Sequence, residues 1–242
     1  MSTRTYGQFC GLARALELVG ERWAMLIVRD LVLGPKRFTD LRRGLPRIPT
    51  NILSARLKEL EQTGVIRRRV LPRPAASVVY ELTGYGRDLE DIVLRLGRWG
   101  ARSLTEPGPE DILTPDSIIL ALRATFVPEA AAGPPARYEL RLGDVVVHAK
   151  VRDGALETGS GPLPPTEPPR DGARDLVIET GPVFRALLAR EITPAEAIAT
   201  GQVRLTGDPA LLDRFVELFS IPPPEPTPTA HEPWVIGQVR ES

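Results

Sequence analysis

The sequence has few residues that support metal binding, disulfide formation or catalysis. Its 242 residues include one cysteine, Cys10, and two histidines, His148 and His231. A single cysteine excludes an intrachain disulfide and is typical of a reducing compartment. No Cys/His spacing suits a metal, and neither a Gly-x-Ser-x-Gly elbow nor a P-loop is present. We therefore expect neither an enzyme nor a cofactor or metal.

Long hydrophobic runs are also missing. No stretch approaches the ~18 continuous apolar residues of a membrane span. The first ten residues, MSTRTYGQFC, lack an apolar core, so we expect no signal peptide. These features favour a cytoplasmic location and no membrane partner.

The charges are balanced overall but not along the chain. Residues 1–104 hold 19 Lys and Arg against 10 Asp and Glu, whereas residues 105–242 hold 12 against 21. Such a division predicts two domains with different partners, the basic one facing a polyanion. The alternative is a chance scatter of surface charge.

Composition and pattern predict four segments. They are a basic domain over residues 1–104, a linker over 105–114 that reads TEPGPEDILT, a second domain over 115–221 and a Pro-rich tail over 222–242. The tail ends in WVIGQV before the last residues, and this stretch is apolar enough to dock on the body of the protein.

The basic segment has the element order of a winged helix-turn-helix. Apolar spacing predicts helices over 12–19, 21–33, 38–44 and 50–63, with Thr39 and Thr50 as caps of the last two. Strands are predicted over 65–71 and 78–82. The loop between them contains two prolines, which remove amide donors, so we expect it to project as a wing.

The helix over 50–63 has the side chains of a DNA-reading helix. Asn51, Ser54 and Lys58 share one face, opposite an apolar stripe. Side chains near the amino end of such a helix read bases in the major groove. The predicted base-reading and phosphate-binding residues are Thr50, Asn51, Ser54, Arg37, Arg42, Arg43, Arg47, Arg56 and Lys58, with Arg73 on the wing for the minor groove.

Two alternatives apply to these basic residues. Each could be an ordinary solvated side chain, and Arg56 could pair with Glu59 or Glu61. The run Arg67-Arg68-Arg69 alternates across a strand, so not all three can face DNA.

A further helix is predicted to begin at Arg87 and end at Leu104. Its apolar stripe is too long for a small winged sheet to cover, so we expect it to pack on the same helix of a two-fold mate. The stripe contains Leu89, Ile92, Val93, Leu96, Trp99 and Gly100.

The second domain alternates helices and strands. Helices are predicted over 116–126, 182–190, 194–200 and 210–219, and strands over 138–142, 145–151, 175–180 and 202–206. We expect an α+β domain built on an antiparallel sheet. Residues 159–161, Gly-Ser-Gly, are predicted to form a turn.

The basic segment resembles a known family over residues 8–104. FCGLARALELVGERW, LGPKRFTDLRR and LSARLKELEQTGVI occur in register as in HxlR-type regulators, relatives of MarR. The resemblance implies a bacterial, nucleoid-associated homodimer that binds a palindromic operator near promoters. The dimer would form through the helices at the two ends of this domain.

Cys10 aligns with the cysteine that some HxlR-type regulators use to sense oxidants or electrophiles. Arg14 follows one helical turn later and could lower the pKa of the thiol. The alternative is a small buried hydrophobic residue near the dimer interface.

The segment AREITPAEAIATGQVRLTGDPALLDRFVELF resembles the closing part of sterol carrier protein type-2-like domains. The resemblance covers residues 115–221 and implies a five-stranded sheet, with helices over one face, that often encloses an apolar tunnel. The apolar side chains could line a ligand site or form a dry core. The candidates are Phe126, Phe184, Leu187, Leu188, Phe215, Leu218, Phe219 and, as a closing residue, Trp234.

Three functional hypotheses follow. The first is a dimeric transcription factor, favoured as a repressor, whose second domain senses a hydrophobic small molecule. The second is a thiol-based redox regulator with a structural second domain, which a Cys10→Ser variant separates from the first. The third is a hydrophobic-ligand carrier with a vestigial DNA-binding module, which footprinting would reject.

Overall fold

The computed structural model describes residues 5–74, 76–108, 110–165 and 174–223. The basic half contains helices α1 to α6 and a two-stranded sheet. Its elements are α1 (Gly11–Val19), α2 (Ala24–Val32), α3 (Phe38–Gly44), α4 (Thr50–Gln62), β1 (Ile66–Val70), β2 (Val78–Leu82), α5 (Gly84–Arg87) and α6 (Leu89–Ala101). This order confirms the predicted winged helix-turn-helix.

Several helix ends differ from the prediction. Helix α2 begins at Ala24 because Trp23 has a left-handed backbone, with φ of 81°, that cannot continue a helix. Thr50 is the first residue of α4 and its side chain caps nothing, while Thr39 lies inside α3. Both predicted threonine caps are therefore wrong.

The long helix predicted from residue 87 is shorter than expected. It begins at Leu89 after the short helix α5, whose first turn is capped by Thr83 accepting from the Gly86 amide. Gly86 cannot be replaced without a clash, since an added Cβ would lie 2.0 Å from the Val65 carbonyl oxygen. This close approach fixes the turn that aims α6 across the domain.

The apolar faces of α2, α3 and α4 form the core of the basic half. Ile27, Leu41, Leu53 and Leu57 are almost fully buried in it. Strands β1 and β2 pair antiparallel, with Ile66 opposite Leu82. The segment before α3 joins this sheet, because the amide and carbonyl of Lys36 bond to those of Tyr80 at 2.9 and 2.8 Å. The wing is thus anchored to the helices that it flanks.

The second half contains a five-stranded sheet. Its elements are α7 (Pro115–Thr125), a 3₁₀ turn (Pro128–Ala131), β3 (Ala136–Leu142), β4 (Val145–Arg152), β5 (Ala155–Ser160), β6 (Arg174–Thr180), α8 (Val183–Leu188), α9 (Pro194–Ala199), β7 (Val203–Gly207) and α10 (Ala210–Leu218). The strand order is β5-β4-β3-β6-β7. The protein is therefore mixed α+β.

The sheet differs from the prediction in two respects. Strands β3 and β6 run parallel, so the expected antiparallel sheet is wrong at its centre. Strand β5 was not predicted, and it includes Gly159 and Ser160 of the expected turn. The turn begins only at Gly161, where φ is 85°. Gly159 pairs with His148 of β4, and a Cβ added at Gly159 would lie 2.7 Å from that ring.

The two faces of the sheet have opposite character. Tyr138, Leu140, Val147 and Leu176 point to a core that α7, α8 and α10 close. Most of the alternate residues are polar or charged, and the Arg141 guanidinium joins Glu139 to Glu179 across the other face. The core of this half therefore lies on one side of the sheet only.

The two halves are in contact through α7. Helix α7 packs on α6 and also approaches α2. The Nζ atom of Lys36 lies 2.7 Å from Oδ2 of Asp116 at the start of α7, and Glu90 of α6 pairs with Arg123 of α7. Part of the α6 stripe is thus covered by the same chain, whereas we expected it to pack on the same helix of a two-fold mate. No helix in the described ranges has the length and hydropathy to cross a membrane.

Candidate nucleic-acid interface

Helix α4 has an exposed polar face beginning at its first residue. Thr50, Asn51, Ser54 and Lys58 are all exposed, because the apolar residues between them are turned into the core. The Ser54 hydroxyl donates to the Thr50 carbonyl at 3.0 Å. Its oxygen still has lone pairs with which to accept a bond from a base. The structure thus brings together the side chains predicted to read bases.

Arginines surround the amino end of α4. Arg42 and Arg43 end α3, Arg37 precedes it, and Arg47 lies in the turn before α4; all four are exposed. Of these, Arg47 has a partner outside the domain, since its guanidinium lies 2.6 Å from the Glu110 carboxylate in the linker. Sequence reasoning did not find this pair, because 63 residues separate its members.

Arg56 differs from the other predicted phosphate contacts. Its side chain is only 17% exposed and pairs with Glu59 and, at 3.2 Å, with Glu21. This arginine holds α4 against the turn that precedes α2 and is not presented to a phosphate. The alternative pairing with Glu59 noted from the sequence is the one the structure has.

The wing is stabilised by a cluster of charges on one side of its sheet. Glu81 accepts from Arg67 at 2.8 Å and from Arg69 at 3.0 Å. Hydrogen bonding from Arg69, and then from Arg67, holds the pKa of Glu81 below its ordinary value. Glu81 was not singled out from the sequence, although its register opposite Arg67 follows from the hairpin. Arg73 is exposed at the wing turn.

Most of the predicted ligand-binding side chains form a packed core. The ring centroids of Phe215 and Phe219 lie 4.7 Å apart, and those of Phe126 and Phe219 lie 5.8 Å apart. Leu187 and Leu218 are buried with them. These five side chains pack against one another and do not line the expected apolar tunnel.

Phe184 and Leu188 instead line a cavity of about 630 Å³ between the two halves. Trp234 lies outside the described residues. Within the described ranges no group of three or more His, Cys, Asp or Glu is placed to hold a metal ion.

The first half of the chain matches known regulators. A family model described as HxlR-like helix-turn-helix matches residues 18–107. The HTH-type transcriptional regulator YodB of Bacillus subtilis is 40% identical over 94 residues, which cover 39% of this chain and 83% of YodB. This chain belongs to the HxlR family.

The first half of the chain is also similar to a second curated regulator and to a solved structure. The uncharacterized HTH-type transcriptional regulator YtcD of Bacillus subtilis is 42% identical over 89 residues, covering 37% of this chain and 71% of YtcD. The structure of the redox regulator HypR in its oxidized form is 34% identical and covers 40% of this chain and 99% of HypR, with a TM-score of 0.38. The protein is thus an HxlR-type transcriptional regulator.

This HxlR-type regulator exposes apolar residues on two helices and on the arm before α1. On α6, Ile92, Leu96 and Trp99 are 53%, 49% and 69% exposed and share one face. On α1 and the arm, Tyr6, Phe9, Leu12 and Leu16 are exposed. Clustered apolar side chains on a helix surface, as on α6, are typical of interaction surfaces. We call these seven residues the α1/α6 surface.

Cys10 lies at the start of α1 and is exposed. The backbone amides of Ala13 and then Leu12 hydrogen-bond the sulfur and lower the pKa of the thiol. Arg14 does not supply this effect as expected, because its guanidinium pairs with Glu17 at 3.0 Å. In the single chain Cys10 is not buried, so the alternative of a buried hydrophobic residue requires a partner to cover it.

Proposed function

We propose that this HxlR-type regulator binds a palindromic operator as a homodimer, with α4 of each protomer in a major groove. The observation that carries the proposal is the exposed face of Thr50, Asn51, Ser54 and Lys58 with unburied arginines around it. Polar side chains at the amino end of a helix read bases, and surrounding cations bind phosphates.

Each side chain has a distinct role in this arrangement. Asn51 can pair with adenine through two hydrogen bonds, and Thr50 and Ser54 can bond bases or phosphates. Arg37, Arg42, Arg43, Arg47 and Lys58 neutralise phosphates. Arg73 on the wing enters the minor groove, whose negative potential attracts arginine. Arg56 acts indirectly, by holding α4 in place.

The dimer forms through the α1/α6 surface. A two-fold axis there relates two copies of α4, which bind half-sites about one helical turn apart, roughly 34 Å. A palindrome follows from that symmetry. We favour repression, since a dimer on a promoter blocks polymerase by occupancy, and we assign to the second half the sensing of a hydrophobic small molecule.

The test is selection of a duplex from a random pool, followed by affinity measurement over a range of salt. We expect selected sites with dyad symmetry. The logarithm of the binding constant should fall with the logarithm of the salt concentration, with a slope of about −0.9 for each neutralised phosphate. A variant with Asn51 and Ser54 both replaced by alanine should keep the salt slope and lose the selected sequence. Salt-independent binding, or sites without symmetry, would contradict the proposal.

A second candidate function is a thiol switch at Cys10. It is favoured by the exposure of the sulfur and by the helix amides that lower its pKa, because the thiolate is the reactive form. Its position beside Phe9 and Leu12 places the modification within the α1/α6 surface. Oxidation or alkylation would then alter the dimer and, through it, operator binding.

The measurement is a gel shift with the selected duplex after exposure to peroxide or a quinone, comparing the wild-type chain with Cys10→Ser. We expect the reagents to change wild-type binding and to leave the variant unaffected. Equal responses of the two proteins would exclude the thiol switch while leaving DNA binding itself intact. In the native chain, alkylation should also reach half its maximal rate at a lower pH than in urea, since the folded thiol has the lower pKa.

A further inference from the structure

A cavity between the two halves is not used by the DNA-binding surface. Its volume is about 630 Å³, within the ~300–1,000 Å³ range of small-molecule sites. Its lining comes from α6 and the residues that follow it, and from α7 and α8. An occupant would therefore contact both halves of the protein at once.

The cavity exists because small residues line the place where α6 meets α7. Gly97 and Ala101 of α6 face Ala121 and Ala124 of α7. A Cβ added at Gly97 would lie 3.9 Å from that of Ala124, so the backbones approach closely there. Side chains this short cannot fill the space beside the crossing, whereas protein interiors are normally close-packed.

The lining selects the chemistry of the occupant. Val93, Leu94, Ile118, Phe184 and Leu188 make the walls apolar. The two cations at the cavity already have carboxylate partners, since Arg29 binds Asp30 at 2.8 Å and Arg185 pairs with Glu191. The acids Glu106 and Asp111 lie at its edge. Because both cations are paired and two further acids lie at the lining, an anion is disfavoured, and the apolar walls favour an uncharged hydrophobic molecule.

We infer that this cavity is the effector site, that it takes an uncharged hydrophobic molecule of drug-like size, and that occupancy is transmitted through α6 and the linker. This rests on the proposed function for its regulatory consequence. The site differs from the expected tunnel inside the second half, where Phe126, Phe215 and Phe219 pack together. The ligand belongs between the halves instead.

Two contacts connect the cavity to the DNA-binding parts. Helix α6 presents Val93 and Gly97 to the cavity and Ile92, Leu96 and Trp99 to the α1/α6 surface. The linker lines the cavity through residues 105–107 and 111–113, and its Glu110 holds Arg47 just before α4. A ligand that changes the separation of α6 from α7 acts on both, provided that it binds one arrangement more tightly than the other.

The test uses 1-N-phenylnaphthylamine, an uncharged fluorescent probe, titrated into the full chain. We expect saturable binding and an increase in melting temperature. Ala121→Phe places a ring in the cavity from α7, and Ala101→Leu narrows it from α6. Each should weaken probe binding at least about tenfold. The matched control is Ala199→Phe on the exposed side of α9, which should bind the probe like the wild type.

The outcomes separate the alternatives. No saturable binding to the wild-type chain, or equal binding by a folded Ala121→Phe or Ala101→Leu variant, would overturn the inference. A third outcome is that a chain ending at residue 223 binds the probe far more tightly than the full chain. The cavity would then be a site for residues 224–242 of the same chain, and the inference of a small-molecule site would be overturned. Circular dichroism and melting show which of the two cavity variants is folded.

A separate measurement tests whether occupancy of the cavity changes DNA binding. The affinity for the selected duplex should change several-fold with saturating probe in the wild type and not in the folded cavity variant. Probe binding without any change in DNA affinity would overturn transmission through α6. Failure of the wild-type chain to bind any duplex would overturn the proposed function, whereas loss of probe binding alone would leave that function standing.

Discussion

Asn51 and Lys58 lie on one exposed face of α4 but should act on DNA in different ways. Asn51 is in the first turn, where a side chain reaches base edges, and Lys58 is two turns further along, where it meets the backbone. A base contact discriminates between sequences, and a phosphate contact does not. The two residues therefore separate specificity from general affinity.

We predict that Asn51→Ala loses about 1–3 kcal/mol of discrimination at one base pair and keeps its salt dependence. Lys58→Ala should weaken binding to all DNA sequences equally. It should also reduce the slope of the logarithm of affinity against the logarithm of salt concentration by about 1 per protomer. Affinities for the operator and for single-base variants, each over a salt series, measure both effects. An Asn51→Ala variant with full discrimination would exclude Asn51 as a base reader.

At the scale of elements, the wing depends on Glu81. Its carboxylate is nearly buried and bonds Arg67 and Arg69 on the facing strand. The folded chain holds the pKa of Glu81 below its ordinary value of 4.5, chiefly through Arg69. The resulting stabilisation is complete above pH 4.5 and is lost as the pH falls through the folded value.

We predict that Glu81→Gln lowers the free energy of unfolding by about 1 kcal/mol at pH 7, a small value because both arginines remain largely hydrated. The difference from the wild type should shrink as the pH falls below 4.5. Urea unfolding at several pH values measures it. The control is Glu157→Gln, whose carboxylate pairs with Lys150 in a more exposed position and should cost less. A difference that grows on acidification would contradict this role.

Helix α6 contacts the rest of the chain on one side and leaves apolar residues exposed on the adjacent side. Val93 packs toward the core and α7, and Leu96 and Trp99 remain exposed. Because burial of a leucine side chain contributes about 1.5–3 kcal/mol, the exposed face can support a dimer.

We predict that Leu96→Glu raises the dimer dissociation constant at least about tenfold and weakens operator binding in parallel. Analytical ultracentrifugation gives the oligomeric state. Ala199→Glu, which adds the same charge to the exposed α9, should leave the dimer unchanged. A Leu96→Glu protein that remains dimeric would place the interface elsewhere.

At the scale of the whole molecule, the halves are joined by pairs between distant residues. Arg47 pairs with Glu110, which ties the turn before α4 to the linker. Lys36, whose backbone pairs with Tyr80 of the wing, binds Asp116 and so ties the wing to α7. The Arg47–Glu110 pair is largely exposed and therefore weak. Glu110 competes with a DNA phosphate for the same guanidinium.

We predict that Glu110→Gln strengthens DNA binding roughly two- to threefold at low salt, because Arg47 is released, and that salt removes the gain. Fluorescence anisotropy with a labelled operator measures it. The matched control is Glu106→Gln, which removes the same charge from the linker without a bond to Arg47. An equal gain in both variants would show a general charge effect and no specific competition.

The sequence by itself determined the winged helix and its polar face, because helical and strand periodicity is local and places Asn51, Ser54 and Lys58 together whatever surrounds them. It also predicted β1, β2 and most elements of the second half to within a few residues. It missed β5 and the parallel pair of β3 and β6, since the pairing of strands depends on partners distant along the chain.

Only the tertiary structure decided how these elements meet. The cavity depends on α6 and α7 crossing at glycine and alanine, and the assignment of Phe215 and Phe219 to a packed core depends on which rings come within contact distance. Arg56 and Arg47 look alike in the sequence, yet Arg56 is partly buried in ion pairs and Arg47 is exposed beside the linker. The deciding contacts, such as Phe126 with Phe219 and Arg47 with Glu110, join residues tens of positions apart, and local patterns do not encode which of them form.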